Sequence, residues 1–230
     1  FVWFLMLVFF FDILYRNTTN INGWSFYQSL LLVSVFQFLE LALFVFIVRS
    51  RARMNYYISE GELDFLLLKP VDTQFFVSLR YFSLTSLLNV VGPLVLFIFA
   101  ARHLHLVFTL SSTLLFIFAF LASFVMLFSL LFLTVITLFW FTKIFEIQDL
   151  FLGVFRYMQY PSSIYRGATG YFLSFVFPII LTVTLPAQIL LHTLEQPSRL
   201  LALPLLAIIT LVVCRLVWRI GLRRYSSASS

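Results

Sequence analysis

Between His105 and Lys143 the chain carries no Asp, Glu, Lys, Arg or His. A helix needs about 20 apolar residues to cross a bilayer, so residues 106–141 exceed one crossing. The excess reads as an interfacial piece capped by Ser111 or Ser112, followed by a span whose far end is marked by Trp140 and Lys143. Comparable apolar runs occupy residues 1–15, 26–48, 75–101, 171–191 and 200–218. Charged residues make up 10% of the chain and hydrophobic residues 62%, whereas a soluble domain is about a quarter charged. The chain is therefore expected to be an all-α polytopic membrane protein. Its 230 residues allow roughly six crossings and leave no room for a second soluble domain. The sequence opens at Phe1 inside a hydrophobic run, which reads as an incomplete N-terminus. The net charge of +6 concerns orientation and anionic headgroups rather than nucleic acid. The single Cys214 excludes a disulfide framework.

Charge placement sets the orientation. With residues 49–74 inside, one side collects Arg49, Arg51, Arg53, Lys69, Arg80, Lys143, Arg215, Arg219, Arg223 and Arg224. The other holds Arg16, Arg102 and Arg199. The positive-inside rule then puts residues 49–75 and 219–230 in the cytoplasm.

Two places in this scheme carry polar chemistry. Glu40 sits deep in the second span, where a carboxylate must face protein or water. It either bridges two helices or lines a translocation path, the latter suiting a cationic substrate. The other place is residues 58–70. Ser59 and Glu62 have the spacing of a capping box, Glu60, Glu62 and Asp64 suit the first turns, and Pro70 ends the helix after Lys69. The reading is a cytoplasmic helix of about ten residues, with a stripe of Leu63, Leu66 and Leu67 that either joins two spans at the interface or fits a groove on a partner. Gly61 allows close backbone approach or is a weak point.

Elsewhere, Gly92-Pro93 predicts a kink inside a third span over residues 75–101. Residues 144–160 and 171–191 leave two options open: a short polar fifth span followed by a broken re-entrant hairpin, or an interfacial helix followed by the fifth span. No Gly-x-x-x-x-Gly-Lys-Ser/Thr loop is present to cradle phosphates, and three scattered His support neither a metal site nor a catalytic triad.

Ile58-x-x-Gly61-Glu62-Leu63-Asp64-x-x-Leu67-x-Lys69-Pro70 resembles the signature loop of bacterial ABC exporter permeases of the type-2 membrane-domain family, which includes viologen exporter permeases. Ile21-Asn22-Gly23-Trp24, Tyr160-Pro161-x-x-Ile164-Tyr165, Phe177-Pro178 and Leu185-Pro186 fit in the same order. The resemblance implies a six-span half-transporter in a bacterial inner membrane, one permease domain over residues 1–230. Residues 58–70 would be the coupling helix between the second and third spans. Glu60, Gly61, Glu62, Leu63, Asp64, Leu66, Leu67, Lys69 and Pro70 would dock on an ABC ATPase subunit. The resemblance favours an outer re-entrant hairpin before the last span. It implies a second permease half, identical or related, with ATP and Mg held by the partner ATPase and no cofactor in this chain. The cargo would be a hydrophobic or cationic small molecule. A membrane-embedded assembly subunit and a lipid-modifying membrane enzyme are the competing classes.

Overall fold

The computed structural model describes residues 2–16, 18, 20, 21, 23–80, 83–141, 145–160, 165, 167, 179–194 and 196–225. These are helical throughout, apart from turns and one isolated bridge between Ile21 and Trp24. The helices are α1 (Val2–Arg16), α2 (Phe26–Ser59), α3 (Leu63–Leu67), α4 (Thr73–Leu79), α5 (Leu84–Leu87), α6 (Val91–His103), α7 (Leu110–Ile136), α8 (Phe145–Phe155), α9 (Ile179–Leu190) and α10 (Arg199–Arg224). Short 3-10 turns follow α5, α7 and α8. The Tyr160-Pro161-x-x-Ile164-Tyr165 and Phe177-Pro178 motifs and the first arm of the re-entrant hairpin fall wholly or mostly outside the described residues.

Among the described residues, three helical stretches are long and apolar enough to cross a membrane: Phe26–Phe46, Leu110–Phe139 and Arg199–Arg224. Leu88–His103 and Leu181–Leu190 are shorter apolar helices. Three expectations change. The second span's helix does not end with the apolar run at residue 48, because α2 continues unbroken to Ser59. The third span is segmented: α4 ends at Leu79, and the apolar path resumes at Ser83 through α5, a 3-10 turn and α6. Pro93 then lies in the first turn of α6 rather than mid-helix, where its missing N–H costs little. The run at 106–141 is one helix with a 3-10 end, with no separate interfacial piece. Its cap is Thr109, which accepts from the Ser112 N–H at 3.2 Å while the Ser112 hydroxyl accepts from the Thr109 N–H.

Helix α7 is the centre of the bundle, with α2, α9 and α10 packed around it. Trp24 is buried in the core with Leu32, Leu39, Leu127, Phe155 and Val183. Gly23, at φ +88°, closes the turn that carries it there. At the opposite end Met54, Tyr57, Phe132, Ile136 and Trp218 form a second cluster. Close approach there needs Gly221, since a Cβ would run into the Phe139 ring.

The α7–α9 contact shows how this chain satisfies backbone polar groups without water. Pro186, inside α9, provides no N–H to the carbonyl of Thr182 four residues earlier. The buried Ser123 hydroxyl of α7 supplies the missing donor, 2.7 Å from that oxygen, and also lies 2.8 Å from its own Ala119 carbonyl. Ser123→Ala should therefore cost about 1–3 kcal/mol, the penalty of an unsatisfied buried acceptor. In a Pro186→Ala background, where the N–H returns, the same change should cost much less. Thermal unfolding of the four proteins of this cycle in detergent checks the coupling; equal costs in both backgrounds would contradict it.

Candidate functional site: an inner elbow and a polar groove

Two surfaces hold the predicted site residues. The first is the elbow after α2. Ser59 is the last residue of α2, so it does not cap a following helix. Glu60 caps the end of α2 through its N–H to the Tyr56 carbonyl at 3.0 Å. Gly61 then takes φ +70°, a conformation that is costly for residues with a Cβ. The reversal it permits is the reason for glycine at this position. Helix α3 begins after Glu62, whose side chain makes no cap bond, and spans five residues rather than about ten. Glu62 instead faces back to Tyr56. Its negative charge first, and its hydrogen bond second, push that phenol above its ordinary value.

The apolar stripe is divided. Leu63 and Leu66, expected on the docking face, are turned inward, at 0% and 4% exposure. They pack with Met54, Tyr57, Val77 and Trp218. The side presented outward is Phe65 and Leu68, 71% and 82% exposed, flanked by Leu67 and Val71. Glu60, Lys69 and Pro70 are exposed, and Gly61, Glu62 and Asp64 half-buried. The Lys69 ammonium stands 5.0 Å from the centre of the Phe76 ring, which draws it over the ring face. Phe65 and Leu68 were absent from the sequence-level site, although they share the three-residue spacing of Leu63 and Leu66.

Asp72 joins this elbow to the last helix. Its Oδ1 accepts the Phe75 N–H at 3.0 Å, capping α4. The same carboxylate is gripped by both terminal nitrogens of Arg215 in α10. Arg215 also donates to Gln74 Oε1 at 2.9 Å, and the Gln74 amide reaches Cys214 Sγ at 3.4 Å. The hydrogen-bonded guanidinium holds the Asp72 carboxyl below the usual carboxylate range, with the Phe75 N–H adding to it. Tyr225, just past α10, is pushed up by burial and then by the negative charge of Asp64. None of Asp72, Gln74 and Arg215 was legible as a site residue, because the partners are more than 140 residues apart.

The second surface contains Glu40. A groove of about 620 Å³ opens between α2 and the α5–α6 segment. Gln37, Glu40, Leu41 and Phe44 form one wall, the i, i+3, i+4, i+7 face of a helix. Ser86, Asn89, Gly92 and Pro93 stand opposite. The Ser83 N–H donates to the Val45 carbonyl at 3.1 Å and pins the opposite wall to α2. The Ser86 hydroxyl donates to Ser83 Oγ at 2.9 Å. Gln37 Oε1 is buried without a hydrogen-bond partner among the described residues. The Glu40 carboxylate accepts no hydrogen bond from them either, although the charge of Arg156 reaches it. Glu40 thus lines the groove, and no described residue donates a hydrogen bond to its carboxylate.

Comparison with known proteins gives one result. The family model described as ABC-2 family transporter protein matches residues 1–229. Neither the curated proteins nor the solved structures contain a significant match.

Proposed function

The chain belongs to the ABC-2 family of transporter proteins, and from that premise we propose that it is the membrane half of an ATP-driven exporter. As an ABC-2 permease it is an integral membrane transporter subunit and not itself the catalytic one. In this reading a separate ABC ATPase docks on the elbow at residues 58–70 from the cytoplasm. Two permease halves, identical or related, enclose the path. Six crossings per half are reached by adding α1, the α5–α6 segment and one further crossing between α7 and α10 to the three long helices. The setting is a bacterial inner membrane, and the cargo a hydrophobic or cationic small molecule taken up at the α2–α6 groove.

The observation that carries the reading is the exposed apolar tip of α3. Phe65 and Leu68 protrude on a five-residue helix whose other side is locked into the bundle, and α3 lies beyond the apolar part of α2, which ends at Phe46. A helix in that position is too short to cross and is firmly backed. Affinity purification of the chain from its native membrane, with ATP turnover measured on the product, tests the proposal. An ATPase subunit should co-purify, with a mass indicating two permease chains and two ATPase chains. A stable particle without an ATPase would favour the assembly-subunit class.

A further inference from the structure

A second cavity, of about 390 Å³, opens at the end of α6, where Arg102 and His105 stand among Phe97, Ile98, Leu106 and Phe108. The chain closes α6 there with its own backbone. His105 takes φ +48°. The N–H groups of Leu104, His105 and Leu106 reach the carbonyls of Ala100, Arg102 and Ala101 at 3.0, 3.2 and 3.1 Å, the bonding of a Schellman turn. Past the turn, the Val107 carbonyl takes the His192 Nε2–H at 3.3 Å, which ties this lip to the connection before α10. The polar side chains of the cavity are left over from these bonds. Arg102 is a donor at every guanidinium nitrogen, and the His105 imidazole offers an N–H. Neither side chain has a partner among the described residues, and no Asp or Glu lines the cavity. The other two arginines expected on this side are engaged, Arg16 with Asp12 at 2.8 Å and Arg199 with Gln196 at 3.1 Å.

The negative end of the α6 dipole accounts for cations at this place, but not for a cavity between them and an apolar wall. An anion with an apolar body fills both. The wall continues along the helix. Ile98, Leu94 and Val91 recur at steps of four, four and three residues from Arg102, on one face, and all three are exposed. Val91, at the lip of the α2–α6 groove, is eleven residues from Arg102 in one continuous helix. That is about 16 Å at 1.5 Å per residue, one leaflet of a hydrocarbon core about 30 Å thick. In the orientation set by the basic residues, we propose that this end of α6 holds an anionic glycerophospholipid of the outer leaflet. The phosphodiester lies between Arg102 and His105, its oxygens accepting from both, and one acyl chain follows Ile98, Leu94 and Val91. A soluble anion would gain the charge but nothing from the stripe. A zwitterionic headgroup brings an ammonium that meets the Arg102 charge and no carboxylate, so the site prefers phosphatidylglycerol to phosphatidylethanolamine.

The test is photo-crosslinking of the purified chain, in phosphatidylcholine nanodiscs, with a phosphatidylglycerol that carries a diazirine in one acyl chain. Adducts mapped by mass spectrometry should fall on residues 91–102. Unlabelled dioleoyl phosphatidylglycerol should suppress them at a concentration about tenfold lower than dioleoyl phosphatidylethanolamine does, the weight of one charge-assisted hydrogen bond. Glycerol phosphate, which has the anion without the chains, should not compete. Arg102→Gln changes an exposed side chain and should lower the adducts on residues 91–102 by about tenfold. Adducts beside Arg219, Arg223 and Arg224, at the other end of the molecule, should stay as they were. His105→Asn keeps a residue suited to the left-handed turn and should lower the yield by a smaller factor. The competition series on the unaltered protein stands even if a variant fails to fold. Equal suppression by phosphatidylethanolamine, suppression by glycerol phosphate at matching concentration, or an unchanged yield in folded Arg102→Gln overturns the proposal. The readout requires no ATPase, so its outcome is independent of the co-purification that tests the exporter reading.

Discussion

Leu68→Asp is expected to abolish capture of the ATPase subunit while leaving the permease inserted and folded. Leu68 is 82% exposed in the isolated chain, so the change costs the permease almost nothing on its own. In a complex the same side chain would be covered. Burying one Leu is worth about 1.5–3 kcal/mol, and an unpaired carboxylate in its place adds a desolvation penalty of several kcal/mol. Together these predict a fall in ATPase affinity of at least ~100-fold. Phe65→Asp should behave alike. Leu66→Ala is the contrasting variant: its side chain is buried against the α2–α7–α10 cluster, so it should lower stability by about 2–5 kcal/mol. Pull-down of the ATPase together with thermal unfolding of each variant separates the two effects. Full partner binding by Leu68→Asp would remove the elbow from the docking surface.

The second large effect is expected at Asp72, and it should appear in coupling rather than stability. The Asp72–Arg215 pair is more than a third exposed on both sides, so solvent screens it and its contribution to stability is about 0–1 kcal/mol. Its geometry gives it another role. It joins the start of α4, directly after the elbow, to α10, and a two-point grip of this kind is expected to carry a displacement of α3 to α10. Asn is as good an N-cap as Asp, so Asp72→Asn keeps the cap on Phe75 and removes only the grip. In reconstituted vesicles the variant should bind ATPase and hydrolyse ATP normally, while transport per ATP falls by about two- to fivefold, the most that a pair worth about 1 kcal/mol can supply. Exchange of the two charges, Asp72→Arg with Arg215→Asp, should restore part of it. Unchanged transport per ATP in Asp72→Asn would exclude this role. The pH dependence has a definite sign. The folded-state pKa of Asp72 is depressed, so the grip is intact above the unfolded carboxyl value of about 3.9 and is lost only as pH falls through the lower folded value. Coupling should therefore not change through this group between pH 5 and pH 8.

Three of the apolar runs, 26–48, 106–141 and 200–218, fall on helices long and apolar enough to cross a membrane. Long uncharged runs report burial in hydrocarbon directly, and the elbow announces itself by charge and proline. The inward and outward sides of α3 were not legible for a simple reason. Leu63 and Leu66 form one apolar pair three residues apart, and Phe65 and Leu68 form another. Periodicity cannot rank two arcs of equal greasiness; only the cluster around Trp218 decides which one turns in. The cap of α7 was misplaced by two or three residues because Thr109, Ser111 and Ser112 are all competent acceptors. The reciprocal bonds between Thr109 and Ser112 are a matter of backbone geometry. Glu40 is legible as a residue that must face something polar or open, because a carboxylate in an apolar run is costly, yet Gln37 gives no signal of its own. Its Oε1 has no hydrogen-bond partner among the described residues, which no one-dimensional pattern records. The Ser123–Thr182 bond is hidden likewise, since Pro186 creates a demand in one helix that a helix 59 residues away in sequence meets.

The unbroken length of α2 bears on how the two surfaces communicate. Glu40 precedes Ser59 by nineteen residues of one continuous helix, about 28 Å along its axis at 1.5 Å per residue. The groove and the elbow are therefore stations on a single lever. A tilt of about 2° at the groove sweeps the far end by about 1 Å, at the Gly61 reversal where α3 is attached. Rigid connection works in both directions, and linkage makes the reciprocity quantitative: whatever factor an occupant of the groove adds to docking at the elbow, docking must add to occupancy.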